Sequence, residues 1–127
     1  MSRSVELLKK RYLKNIKENP NLFIGIELEY PIVNLEGKAT DGEVVKDLFR
    51  YLPSVLGFTI EKVDDFGNPI QLLDPVSQDT ILFEVAYTTI EFAFGKAESI
   101  QEVEERFNFY MATIQNKLGG ANHAIVG

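Results

Sequence analysis

Cysteine is absent from this chain of 127 residues. Its absence excludes a disulfide framework, a thiol nucleophile and a structural zinc–thiolate site, and it agrees with a reducing compartment. Long apolar runs are also missing, because no run reaches the roughly 20 residues that a transmembrane helix needs. Residues 1–20 carry too many charges for a secretory signal peptide. We therefore expect a cytoplasmic protein with no membrane partner.

Positive charge is scarce. Lysine and arginine together number 13 against 19 aspartates and glutamates, which gives a formal net charge of −6. Proteins bind nucleic-acid phosphates through clustered lysine and arginine, so no nucleic-acid partner is expected. The hydrophobic share of 45% is enough for a single core, and we expect one domain over residues 1–127.

Two glutamates interrupt the first apolar segment. The run from Leu22 to Val33 predicts a strand, in which alternate side chains share a face. Glu27 and Glu29 then point to the same side, while Ile26 and the other apolar neighbours point to the opposite side. Position alone favours a solvated strand face, since antiparallel sheets often alternate apolar and polar residues.

A second acidic pair changes that balance. In the segment Ile81 to Phe94 the apolar positions are odd-numbered up to Tyr87 and even-numbered afterwards, which predicts a bulge or tight turn near Thr88. Glu84 and Glu91 would then share the face that does not meet the core. Like charges at about 4 Å repel by roughly 4 kcal/mol at an effective dielectric constant of 20. Mg²⁺ or Mn²⁺ bound by these carboxylates would reverse that cost.

Three helices and a hairpin complete the prediction. Apolar spacing predicts a core-facing helix over residues 5–16, which Pro20 ends by Asn19. Capping-box spacings begin a helix at Thr40-Asp41-Gly42-Glu43, ended by Pro53, and another at Ser99 that runs to Leu118. The runs 58–63 and 70–73 form a hairpin around the turn-rich segment 64–69. The fold class is therefore α+β, an antiparallel sheet flanked by helices.

His123 is the single histidine. It follows the predicted helix stop at Gly119-Gly120, so a loop or strand-start position is favoured over a catalytic role. The turn at residues 64–68 lacks the spacing of a calcium-binding loop, and no glycine-rich phosphate-binding motif is present.

Two motifs together resemble a known enzyme family. The segment Gly25-Ile26-Glu27-Leu28-Glu29-Tyr30, followed by Glu84-Val85-Ala86-Tyr87-Thr88-Thr89-Ile90-Glu91-Phe92, is similar to the N-terminal part of glutamate–cysteine ligases, also called γ-glutamylcysteine synthetases. The similarity extends from about Phe23 to the end of the chain.

The resemblance implies a fold and a metal site. Family members share a catalytic fold with glutamine synthetase and bind several Mg²⁺ or Mn²⁺ ions through glutamates on antiparallel strands. Glu27 and Glu29 match the first acidic pair, and Glu91 matches the glutamate of the second motif. Glu84 stands seven residues earlier, where the family often has an acidic ligand, usually Asp.

The resemblance also implies an activity. The substrates would be glutamate, cysteine and ATP, and the product γ-glutamylcysteine would form through an acyl phosphate, in the first step of glutathione synthesis. The motifs identify no catalytic side chain and no nucleotide-binding residue. The chain is far shorter than family members, so it is expected to be an N-terminal fragment of the catalytic domain that is inactive alone.

Two other functions remain open from the sequence. A non-catalytic metal-binding or regulatory module could keep the same acidic face, and a sister carboxylate–amine ligase could use another amine acceptor. A truncated sheet would also expose an edge on which a second copy could pair, so a homodimer is one expected state.

Overall fold

The computed structural model describes residues 2–127, which form three helices and six strands. The helices are α1 (Arg3–Lys14), α2 (Gly42–Leu56) and α3 (Ile100–Gly119). The strands are β1 (Glu27–Asn34), β2 (Thr59–Val63), β3 (Pro69–Leu73), β4 (Thr80–Phe83), β5 (Thr89–Ala93) and β6 (His123–Ile125). They form one open sheet in the order β2-β3-β4-β5-β1-β6, and neighbouring strands are antiparallel. The predicted α+β class is confirmed at this level.

One face of the sheet supplies the core. Leu72 in β3, Ile81 in β4 and Phe92 in β5 are almost completely buried. The apolar stripes of α2 and α3 cover these side chains, with Val45, Leu48, Phe49 and Leu52 from α2 and Val103, Tyr110, Ile114 and Leu118 from α3. Both helices therefore lie on the same side, and the opposite side of the sheet has no helix packed on it within residues 2–127.

A tight turn separates β4 from β5, as the parity change near Thr88 predicts. Phe83 at the end of β4 pairs with Ile90 near the start of β5, and the backbone N–H of Glu84 donates to the carbonyl of Thr89 at 3.0 Å. Ile81 and Phe92 therefore face the same core although their sequence parities differ.

The predicted first strand begins too early. Regular pairing starts at Glu27 instead of Leu22, and it continues to Asn34. Before β1, an isolated bridge joins Ile24 to Ala97 through two backbone hydrogen bonds of 2.7 and 3.1 Å. The residues before this bridge have no strand to pair with in the described chain.

The predicted start and end of α2 are also wrong. The N-cap is Asp41, whose side chain accepts a hydrogen bond from the N–H of Glu43. The Thr40 hydroxyl instead donates to the carbonyl of Ile32 at 2.6 Å. Pro53 lies inside the helix, which continues to Leu56 and ends at Gly57 with a positive φ of 74°.

The capping of α3 follows half of the predicted pattern. The Ser99 hydroxyl accepts from the N–H of Glu102 at 3.2 Å, as in a capping box. The Glu102 carboxylate, however, accepts from the N–H of Glu98 rather than from Ser99. This helix ends at Gly119, next to its predicted end at Leu118.

The prediction that α1 packs on the core is wrong. The helix ends at Lys14, well before Asn19, and none of its residues is buried. Its apolar residues Val5, Leu8 and Tyr12 are instead exposed. None of the described helices combines the length and the apolarity that crossing a membrane requires.

Candidate functional site on the glutamate face

The side of the sheet opposite α2 and α3 carries the glutamates that the sequence singled out. We call it the glutamate face and define it by Glu27, Glu29, Glu84 and Glu91. Glu29 in β1 lies directly opposite Glu91 in β5. Glu27 lies two residues before Glu29 and opposite Ala93, so both β1 glutamates point to this side. Three of the four carboxylates thus come from two adjacent strands.

Glu84 joins this group from the turn after β4. Leu82, two residues earlier, is paired with Glu91, which places the β4 end beside the β5 glutamate. Glu84 is half-buried, and the next residue, Val85, is fully exposed with a positive φ of 60°. Valine rarely adopts that conformation, since its branched side chain crowds the backbone. The turn is therefore locally strained beside Glu84.

The electrostatics of Glu91 reflect this crowding. Burial raises the pKa of Glu91 above its ordinary value of 4.5. The negative charges of the other three glutamates and a hydrogen bond to the Glu84 side chain raise this pKa further. The four predicted residues are therefore close enough to interact, and each disfavours the charged form of Glu91.

The chemistry of the face fits hard cations. Carboxylate oxygens are the ligands that Mg²⁺ and Mn²⁺ prefer, and a bound cation would relieve the repulsion at Glu91. Within residues 2–127, as their side chains are placed, no group of three or more His, Cys, Asp or Glu residues could hold a metal ion. The glutamates are neighbours on a surface, and their side chains would have to turn toward a shared ion.

Asp64 and Tyr87 form a contact that sequence reasoning missed. The Tyr87 hydroxyl donates to the Asp64 carboxylate, which also accepts from the N–H groups of Phe66 and Asn68. This contact joins the β2–β3 turn to the β4–β5 turn that carries Glu84. The hydrogen bond to Asp64 raises the pKa of Tyr87 to about 12, while the same bond lowers the pKa of Asp64.

Asp79 is a second residue that sequence reasoning missed. It is buried before β4, with an exposed fraction of 1%. Its carboxylate accepts from the Arg106 guanidinium at 2.7 Å, the Tyr110 hydroxyl at 2.7 Å and the backbone N–H of Gly95 at 2.8 Å. Gly95 leaves no room for a Cβ, which would collide with the carbonyl of Ser77. The i,i+4 spacing of Arg106 and Tyr110 predicts a shared helix face, but it does not reveal their partner.

His123 has a structural position at the start of β6, as the sequence favoured. Its Nε2 accepts from the backbone N–H of Asp41 at 3.0 Å, and its Nδ1 lies 2.8 Å from the carbonyl of Ala121. A neutral ring with the proton on Nδ1 satisfies both contacts. The imidazole thus connects the N-terminus of α2 to β6, and neither nitrogen is left for a metal.

The chain thus has an α+β fold whose open antiparallel sheet carries an acidic face. A scan against protein-family models, a search of curated proteins and a search of solved structures each find no match to this chain.

Proposed function

We propose that the glutamate face binds Mg²⁺ or Mn²⁺ within an ATP-dependent carboxylate–amine ligase of the glutamate–cysteine ligase type. The observation that carries the proposal is the direct pairing of Glu29 with Glu91 across two antiparallel strands, with Glu27 and Glu84 close enough to raise the pKa of Glu91. The sequence resemblance implies the same arrangement, metal-binding glutamates on antiparallel strands, and the glutamine synthetase-like fold belongs to this proposal.

The glutamates of this chain would have two tasks. They would hold the cations at one side of a rigid sheet, and their position would fix where the phosphates of ATP lie. The metals would supply positive charge for the phosphate oxygens. Because Glu29 and Glu91 belong to strands whose other face is packed in the core, their spacing is set by the fold rather than by a loop.

The proposed reaction has two steps. An oxygen of the glutamate γ-carboxylate attacks the γ-phosphorus of ATP, and ADP leaves with formation of an acyl phosphate. The amine nitrogen of cysteine then attacks the carbonyl carbon, phosphate leaves, and the nitrogen loses a proton as the amide forms.

Metal binding tests the first part of the proposal. Titration with paramagnetic Mn²⁺ should show binding to this chain, and Glu91→Gln should weaken it by tenfold or more, about 1.4 kcal/mol. Glu105→Gln on the exposed surface of α3 is the matched control and should leave the affinity unchanged. Unaltered binding in single glutamine variants of all four face residues would contradict a shared site.

Product analysis tests the second part. A longer protein that contains this chain should convert glutamate, cysteine and ATP to γ-glutamylcysteine. Glu27→Ala, Glu29→Ala and Glu91→Ala should each lower kcat by a hundredfold or more, on the order of 2.7 kcal/mol. Glu84→Ala should cost less, since its motif match is weaker.

The alternatives give different outcomes in the same assay. A panel of amines identifies a sister ligase if another amine is consumed in place of cysteine. Metal binding through these glutamates without any amide product would instead identify a non-catalytic metal-binding or regulatory module.

A further inference from the structure

Helix α1 has an apolar side that no residue within 2–127 covers. Val5, Leu8 and Tyr12 recur at three and four residues, so they form one stripe along the helix. Their exposed fractions are 46%, 56% and 77%. An amphipathic helix of this length gains most of its stability from packing its apolar side, so the stripe calls for a partner surface.

The charge of α1 is opposite to that of the rest of the chain. The helix holds five basic residues and one acidic residue, a net charge of +4. The remaining residues contain eight basic and eighteen acidic residues, a net charge of −10. On a helical projection, Lys9 and Arg11 border the apolar stripe on its two sides. A complementary surface would therefore be apolar in the middle and acidic around it.

The glutamate face has these properties. Leu82 lies opposite Glu91 in the register, and Leu73 lies opposite Thr80 on the same side of the sheet. These apolar side chains are half-buried, and the glutamates lie beside them. The face can thus receive the stripe of α1 while its carboxylates meet Lys9 and Arg11.

We propose that α1 of one copy packs on the glutamate face of a second copy, in a reciprocal dimer with two-fold symmetry. The chain's own face is joined to α1 by the short segment 15–23, yet α1 makes no substantial contact with its own body. In this dimer the α1 helix of each copy covers the glutamate face of the other. No helix or face is then left to bind a third copy, so the assembly closes at two. The proposal does not depend on the ligase reaction.

An anionic lipid surface is a less favourable partner. It would attract α1, but it would repel a body of net charge −10. In the dimer the same negative charge is attractive, because each basic helix meets an acidic partner face.

Sedimentation velocity over a concentration series, with a chelator present, tests the proposal. The unaltered chain should dimerise, and the dimer should weaken as salt rises. The double variant Lys9→Glu/Arg11→Glu should raise the dimer dissociation constant by tenfold or more. Lys38→Glu/Lys117→Glu makes the same charge change at exposed positions outside α1 and should raise it by less than threefold.

Reversing the charges of the glutamate face, and mixing that variant with the α1 variant, tests whether these two surfaces contact each other. Glu29→Lys/Glu91→Lys should also weaken the dimer, and an equimolar mixture with Lys9→Glu/Arg11→Glu should recover the association, since both helix–face contacts of the mixed dimer then pair opposite charges. Circular dichroism checks that each variant is folded. A monomer at every concentration overturns the proposal, as does a dimer insensitive to both reversals.

Binding to lipid vesicles distinguishes a membrane partner from a second copy of the chain. Phosphatidylserine vesicles should not retain the unaltered protein at physiological salt. Retention that is lost in Lys9→Glu/Arg11→Glu, together with a monomeric free protein, would assign α1 to a membrane surface instead. The carboxylates that meet Lys9 and Arg11 are those of the proposed metal site, so dimer formation and metal binding compete for them. Because these measurements exclude divalent metal, failure of the dimer leaves the metal-binding proposal unaffected.

Discussion

Glu29 and Glu91 are held opposite each other by the apolar pairs that flank them along the two strands. Tyr30 pairs with Ile90 and Leu28 pairs with Phe92 on the other side of the same two strands. A shift of one residue would move these apolar side chains out of the core, so the register is strongly specified. The core therefore enforces a like-charge pair that the two glutamates would avoid by themselves.

The first prediction concerns Glu91 and pH. Its pKa is raised in the folded protein, so the folded state loses stability as pH rises from the ordinary value of 4.5 through the raised value. Below that range the carboxyl is protonated in both states and the penalty is absent. Glu91→Gln should therefore raise the free energy of unfolding by about 0.5 kcal/mol near neutral pH and change it little at acidic pH.

Urea unfolding at the two pH values measures this difference. Glu105→Gln, which removes an exposed charge from α3, is the control and should show a smaller change. A Glu91→Gln variant that is less stable than the unaltered protein at neutral pH without metal would contradict the repulsion.

The second prediction concerns Asp79. Replacing it by Ala would leave the Arg106 guanidinium, the Tyr110 hydroxyl and the Gly95 N–H without their shared acceptor. We expect a loss of about 3–5 kcal/mol in the free energy of unfolding, typical of breaking one side of a buried ion pair. Asp47→Ala breaks an exposed pair with Arg50 and should cost at most about 1 kcal/mol. Equal losses in a denaturant titration would show that Asp79 is not a structural centre.

The third prediction concerns Tyr87. Its hydroxyl donates to Asp64, so ionisation of the phenol near pH 12 would destroy the bond. Asp64→Asn removes the negative charge and should move the pKa of Tyr87 toward the ordinary value of 10.0. The ultraviolet difference between each protein and its Tyr87→Phe counterpart isolates this tyrosine from the other four. An identical titration with and without Asp64→Asn would contradict the contact.

Apolar runs and their alternation predict most of the strands, but not their order in the sheet. The parity change in the segment 81–94 predicts the turn between β4 and β5, since an unbroken strand would send Ile81 and Phe92 to opposite faces. The same reasoning places Glu84 and Glu91 on one side. The pairing of Glu29 with Glu91 needs more, because strand alternation shows the face of a side chain and not its neighbour.

Contacts between distant residues explain what the sequence left hidden. Asp79 and Tyr110 are 31 residues apart, and Asp64 and Tyr87 are 23 apart. No local sequence pattern predicts a contact between residues so far apart in the chain. Local spacing also gave one wrong prediction, because α1 has the spacing of a core helix and yet none of its described residues is buried.

The strand order has a consequence for how the protein is made. Strands β2 to β5 pair with their neighbours in chain order, so each can fold against the one before it as the chain emerges from the ribosome. β1 is synthesised before all of them, but its partners are β5 and β6. Such long-range pairing is slow to form, since a large loop must close first. The acidic strand is thus the first strand of the sheet to be synthesised, and it has no partner until β5 follows it.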